Sequence, residues 1–340
     1  MSYTYKIDND PDELAKSKRI GGVAPKADNV LSVVQEKFTD NYSLFMDHVR
    51  RDENGGFKPM GEKIHEYTVR ESDGIVYEVY KATFATPRFK AYNAALQPLL
   101  LFFIEGASAI DDEDDAWECF LVFEKRPVVG NAAFAYAIVG FSTAYAFWSF
   151  PDRKRMRISQ FIIMPPYQKK GHGKQLYNTI KREFVSRSEV SDFGVEDPNE
   201  EFSNLRDICD VEFLVQEVER IRDSSRVVSL ESLSRPATVG ANGNQADIRS
   251  AINAVVSNVK NGVYKLSKAH AERCIEMVNL KYLDRADKAA AQEFRLMVKR
   301  RLYKRNEEAL NGMPAEEMKE KLQATFLNVE EGYREVLSHI

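Results

Sequence analysis

The residues of this chain best suited to hold a ligand are Gln168-Lys169-Lys170-Gly171-His172-Gly173. They follow an apolar run, Ile158 to Met164, whose β-branched and aromatic side chains predict a strand. Pro165-Pro166 ends that strand, because proline donates no hydrogen bond to a ladder. After the loop, Leu176, Ile180 and Phe184 recur four residues apart, which predicts a helix with one buried face. A glycine-bearing loop at a helix N-terminus leaves backbone amides unpaired and pointing outward. That spacing predicts an anion site, with phosphate its commonest occupant. Familiar nucleotide patterns do not fit. Gly173-Lys174 imitates the end of a P-loop, but Gln168 stands at its first glycine and Gln175 where a hydroxyl would hold magnesium. The dinucleotide pattern fails at Leu176, where a third glycine is required. What remains is Q-x-x-G-x-G after a strand, read either as a phosphate-binding loop or as a tight turn packing helix on strand.

Other chemistries have less support. Gly140-Phe141-Ser142-Thr143-Ala144 lacks the last glycine of a nucleophile elbow, and the five histidines include no H-E-x-x-H. Cys119, Cys209 and Cys274 are far apart, which argues against a disulfide framework or a zinc cluster and for a reducing compartment. A net charge of −4 disfavours bulk nucleic-acid binding and suits a cationic partner. The most apolar run, Leu99 to Ile104, is too short to span a membrane, and the polar, acidic N-terminus is no secretory signal.

The elements that must position the loop are read from periodicity. Ile75–Phe84, Trp117–Glu124, Ala132–Trp148 and Asp192–Val195 are expected strands, with Gly140 and the turn Ser149–Asp152 as breaks. Arg88–Glu105 is an expected helix, and Asn29–Phe38 a short amphipathic one. Ser224–Ala246 reads as a flexible linker or insert. Helices are expected over Leu266–Leu283 and Ala289–Tyr303, followed by a last one opening near Pro314. Lys299-Arg300-Arg301 with Lys304-Arg305 reads as a water-facing helix face or a basic patch. The pattern is an α/β (α+β) protein: a mixed central sheet with a C-terminal helical domain. The expected division is 1–87, 88–222 and 223–340. For 340 residues, two or three domains are the natural number.

Taken together, these blocks resemble a known family. The loop resembles the pyrophosphate loop of the GCN5-related N-acetyltransferase superfamily. FKPMGEKIHEYTV, FFIEGASAIDDEDDAWECFLVFEK, RISQFIIMPPYQKKGHGKQLYNTI, VEDPNEEFSNLRD and LSKAHAERCIEMVNLKYL, in that order, resemble the type B histone acetyltransferase catalytic subunit over residues 57–340. The resemblance implies the acetyltransferase sheet flanked by further parts, acetyl-coenzyme A (acetyl-CoA) as co-substrate, and no metal. It implies acetylation of lysines in tails of free, newly made histones, chiefly the fourth core histone. A WD-repeat propeller histone chaperone as partner and a nuclear and cytoplasmic location follow from it too. Residues 1–56 are expected to replace, or to lack, strands the family carries there.

Acetyl transfer to lysine sets requirements on the residues. An ammonium with a pKa of about 10.4 must lose its proton before it attacks a thioester, so a general base is needed. By resemblance the glutamate of V-E-D-P, Glu196, is that base, with Asp197 and Glu105 as supporting carboxylates; Glu105 reads equally as a solvated helix end. Phe161, Ile162 and Ile163 are expected to offer backbone groups to the pantetheine arm. The amides of Gln168, Lys169, Lys170, Gly171, His172 and Gly173 would take the diphosphate. His172 is expected to act through its backbone, and Asn199, by resemblance, contacts the cofactor. Tyr145, Ala146 and Phe147 match the family's tail-contacting strand end, and Asp111–Asp115 suits a cationic tail or a solvated loop. An acetyltransferase for another amine, or a weakly catalytic histone-binding scaffold, are the alternatives.

Overall fold

In a computed structural model, the backbone is described for residues 42–69, 74–104, 106–130, 132–232 and 241–340. The N-terminal half supplies α1 (Tyr42–Glu53), β1 (Glu62–Tyr67), β2 (Val76–Ala82), α2 (Phe89–Phe103), β3 (Trp117–Pro127), β4 (Phe134–Ser149) and β5 (Arg153–Ile163). A single 3-10 turn, Pro165–Tyr167, then leads to α3 (His172–Ser186) and β6 (Val190–Val195). The rest is helical: α4 (Glu200–Ser232), α5 (Ala241–Lys260), α6 (Lys268–Lys281), α7 (Lys288–Arg305), α8 (Glu307–Leu310) and α9 (Ala315–Ser338).

The strands lie in sequence order in one sheet, antiparallel except for the parallel pair β5–β6. Strand alternation sends apolar side chains to both faces. One face buries Ala82, Cys119, Leu121, Phe141 and Ile162 under Phe89, Leu96 and Leu100 of α2. The other buries Phe120, Val122, Ala144, Met156 and Ile158 against Leu176, Ile180 and Phe184 of α3. This second core continues without a break through Leu214 and Val218 of α4 to Met277, Val298 and Tyr333 of the C-terminal helices. All three cysteines are buried and free. Burial pushes the Cys119 and Cys209 thiols up to about 12 and raises Cys274 well above its ordinary value.

Several expectations change. Gly140 does not break a strand; it lies inside the sixteen-residue β4, next to a bulge against β3. A Cβ there would sit 2.4 Å from the Ile162 carbonyl oxygen, so glycine permits a close strand approach rather than a turn. The Ser224–Ala246 stretch is helical at both ends, since α4 runs to Ser232 and α5 starts at Ala241. Arg301 does not face water: its guanidinium forks onto Glu276 at 2.8 Å on each arm and meets the Tyr333 hydroxyl at 2.9 Å. The Asn29–Phe38 helix lies outside the described residues.

Candidate active site

The site begins where β5 and β6 part. Their parallel pairing ends at Ile158–Val195, while β5 continues to Ile163 along β4. From Ser159 onward, therefore, β5 has no neighbour on its β6 side. The gap is a cleft of about 960 Å³ lined by Ser159, Phe161, Ile163, Gln168, Gly171 and Glu196, among others. Phe103 and Ile104 at the end of α2 close one wall, and Phe202 and Leu205 of α4 another.

Along a strand, backbone groups turn to alternate sides. Met164 donates its N–H to the Val139 carbonyl at 2.8 Å, so Ile162 also turns its backbone to β4. Phe161 and Ile163 turn theirs toward the gap. Of the three strand residues expected to offer free groups, Ile162 is the exception, because its ladder bonds serve β4. The Ile163 carbonyl already accepts a 2.8 Å bond from Gln168 Nε2, which ties the loop to the strand end.

The loop closes on itself sparingly. Gln168 N–H reaches the Pro165 carbonyl at 3.3 Å, and Gln175 N–H reaches that of Gly171 at 3.1 Å. Between them, the amides of Lys169 to Lys174 have no acceptor among the described residues. Gly171 holds φ +90°, with open space where a Cβ would be. Gly173 packs against Leu205, whose Cδ2 would lie 3.2 Å from an added Cβ. This row of unpartnered amides at a helix N-terminus, beside an unpaired strand edge, fits a diphosphate followed by an amide-bearing arm. The lysines add less than their number suggests. Lys174 is paired with Glu212 at 2.6 Å, and Lys170 Nζ donates to the Pro166 carbonyl at 2.9 Å.

At the mouth of the cleft stands Glu196, half-exposed just past the end of β6. Its N–H donates to the Ile158 carbonyl at 2.9 Å, the last rung between the two strands. Its carboxylate accepts from Ser159 Oγ at 2.9 Å and lies 3.9 Å from the Arg157 guanidinium. Asp197 follows with φ +35° and lines the same cleft. Asn199 lines it too, while its Oδ1 accepts from the Phe202 N–H at 2.9 Å and so caps α4. Glu105 lies outside the described residues.

Tyr145, Ala146 and Phe147 stand beside this cleft rather than in its lining. Arg157 is the connection: its guanidinium lies 4.5 Å from the Phe147 ring centre and faces Glu196. Tyr145 packs edge-on against Trp117 and Phe147, and its hydroxyl donates to Asp114 at 2.9 Å. That bond holds the phenol above its ordinary pKa. One member of the acidic block thus touches the aromatic row. Sequence reading missed Ser159 and Arg157, since it is the register of β5 against β6, Arg157 beside Gly194 and Ile158 beside Val195, that brings them to Glu196, and neither strand alone reveals that pairing.

A buried cluster elsewhere, Asp207, His270 and Cys274, holds three possible metal ligands within 4.8 Å of one another. Its charges are already answered. Arg273 meets Asp207 at 2.6 Å, and the neighbouring Asp210 takes Lys181 at 2.6 Å, His270 at 2.7 Å and the Tyr177 hydroxyl at 2.7 Å. A metal ion would enter beside the Arg273 and Lys181 cations, so the cluster fits a structural network.

Known proteins resemble this chain over most of its length. A family model described as "Histone acetyl transferase HAT1 N-terminus" matches residues 1–105, and one for the "Acetyltransferase (GNAT) family" matches residues 90–201. The first corrects the expectation that residues 1–56 replace or lack the family's N-terminal part, since the likeness runs through that stretch as well. A Cryptococcus neoformans protein named histone acetyltransferase type B catalytic subunit is 36% identical over 303 residues, spanning 83% of this chain and 69% of that protein. Proteins of the same name from Mus musculus and Homo sapiens are 31% and 30% identical over 333 residues, spanning 92% of this chain and 74% and 73% of theirs. Among solved structures, an aminoglycoside N-acetyltransferase in complex with CoA is 12% identical with a TM-score of 0.28, covering 40% of this chain and 86% of that one. With an acetyltransferase domain and relatives of one name across most of its length, the chain belongs to the type B histone acetyltransferase catalytic subunit family.

Proposed function

We propose that this acetyltransferase transfers the acetyl group of acetyl-CoA to lysines in the N-terminal tail of free, newly synthesised histones, chiefly the fourth core histone, with Glu196 as general base. The observation that carries the reading is the placement of Glu196 at the open end of the cleft whose far end is the amide row. The coenzyme supplies an activated thioester; the chain supplies orientation and proton removal. Amides of Lys169–Lys174 hold the diphosphate, and the free edge of Phe161 and Ile163 directs the arm along β5. Glu196, steadied by Ser159, takes the proton from the lysine ammonium, and the neutral nitrogen then bonds to the thioester carbon, passing its remaining extra proton toward the departing sulfur. The carbon–sulfur bond breaks, and the sulfur leaves as the coenzyme thiol. Asp197 supports the same exit for protons, and Asn199 flanks the coenzyme.

Tyr145, Ala146 and Phe147 are proposed to receive the tail, since aromatic faces suit the aliphatic part of a lysine. Asp114 beside Tyr145 favours a cationic peptide. A WD-repeat propeller histone chaperone as partner, and a nuclear and cytoplasmic location, belong to the same proposal through the family resemblance. Mass spectrometry of free core histones incubated with the enzyme and acetyl-CoA tests it. Acetyl groups concentrated on the tail of the fourth core histone are expected. Acetylation of polyamines or small amines in preference to histones would overturn the substrate assignment.

A further inference from the structure

His172 is the second-last residue of the Q-x-x-G-x-G loop and the first of α3, and its side chain is only 1% exposed. It points away from the cleft into the sheet. Nδ1 lies 2.9 Å from the hydroxyl of Tyr67, itself buried on β1. The ring packs against Tyr77 of β2, with centres 4.5 Å apart, and against Tyr67 and Tyr167 at 5.8 and 5.7 Å. Nε2 has no hydrogen-bond partner among the described residues. An apolar side chain would fill this aromatic pocket without burying an unpaired Nε2, but it would leave the buried Tyr67 hydroxyl without its partner. The imidazole is therefore there for its one bond, and that bond joins the coenzyme loop to a strand of the N-terminal region. The loop's other shoulder is anchored alike, with the Tyr167 hydroxyl donating to Glu124 on β3 at 2.5 Å.

We propose that His172 is a positioning residue for the coenzyme. Through Nδ1 and the Tyr67 hydroxyl it fixes the first turn of α3, and hence the aim of the amides from Lys169 to Lys174. This rests on the reading of that loop as the diphosphate site. It assigns β1, which lies outside the cleft, a share in coenzyme affinity.

The test measures coenzyme A binding by titration calorimetry, with KM for acetyl-CoA and kcat on a histone peptide, for four variants. Tyr67→Phe removes one oxygen and keeps the ring packing. It should raise the Kd and KM for the coenzyme about five- to tenfold while kcat changes less than twofold. His172→Leu should weaken binding at least as much. His172→Asn places a polar atom near the Nδ1 position and should restore most of the affinity, whereas His172→Gln places its amide near Nε2 and should not. Wild-type affinity in both Tyr67→Phe and His172→Leu would overturn the proposal, as would rescue by Gln but not Asn. Should the His172 variants fail to fold, unchanged affinity in Tyr67→Phe overturns it alone. No coenzyme binding by the wild-type enzyme would instead remove the reading of the loop itself.

Discussion

Glu196 shows how much a single side chain depends on its neighbours. It is half-exposed, and nothing in its own position would mark it out from any acid at a strand end. Ser159 supplies a 2.9 Å bond and Arg157 a guanidinium 3.9 Å away, which together restrict where the carboxylate points. Glu196→Gln keeps the shape and the Ser159 contact but removes the proton acceptor. It should lower kcat by about 10²–10⁴-fold while coenzyme A binding by calorimetry stays within twofold; near-normal turnover on histone tails would take the residue out of the base role. Gly171 is the second telling position. Its φ of +90° is one an alanine adopts only at a cost of about 1–2 kcal/mol. The loop would shed that strain by leaving the conformation that aligns its amides. Gly171→Ala should therefore raise the coenzyme Kd about tenfold without changing the far-ultraviolet dichroism.

At the scale of elements, the working feature is a parallel strand pair that separates. β4 pairs with β5 along its whole length but for one bulge, and Gly140 lets the two approach closely enough to do so. A side chain there meets the Ile162 carbonyl at 2.4 Å and the Ile163 side chain at 2.7 Å. Gly140→Ala should cost about 1–3 kcal/mol in urea denaturation and weaken coenzyme binding, since the displaced residues form the cleft edge. This element explains what the sequence could tell and what it could not. The Pro-Pro stop, the glycine loop and the four-residue apolar spacing of α3 are local signals, and each stands where it was expected. Gly140 misled because glycine breaks strands and also permits close packing, and only the third dimension decides between them. β1 was not recognised: Glu62–Tyr67 is short, mostly polar and at the sheet edge, with little apolar alternation. α4 was missed although Val211, Leu214, Val215 and Val218 recur at i, i+3, i+4 and i+7; Cys209 is buried on the opposite face, so this helix is packed from two sides.

At the scale of the molecule, one continuous core and one buried charge network tie the sheet to the C-terminal helices. Asp210 of α4 sits fully buried among Lys181 of α3, Arg206 of α4 itself and His270 of α6. Burial alone would raise its pKa, but Lys181, His270 and Arg206 outweigh it and hold the carboxyl well below the usual range. Lys181→Met strips a partner from that charge and should destabilise the fold by about 3–5 kcal/mol in urea denaturation. The histidines set the pH response. Burial pushes His270 and His172 below 6.5, aided respectively by Arg206 and Lys170. With folded values beneath the unfolded one, protons bind the unfolded chain preferentially as pH falls through about 6.5. Stability is then full above that pH and declines below it. A melting temperature level from pH 8 to 7 and falling from pH 6.5 to 5 is expected, with a shallower fall in His270→Asn.

The three sealed cysteines have a practical corollary. Burial and raised thiol pKa values keep Cys119, Cys209 and Cys274 unreactive in the native state. A chromogenic disulfide reagent added to the working enzyme should therefore report only the sulfhydryl released at each turnover, giving a continuous readout with no protein background. The same reagent in denaturant should titrate 3 equivalents per chain, so one dye follows both catalysis and the loss of the fold.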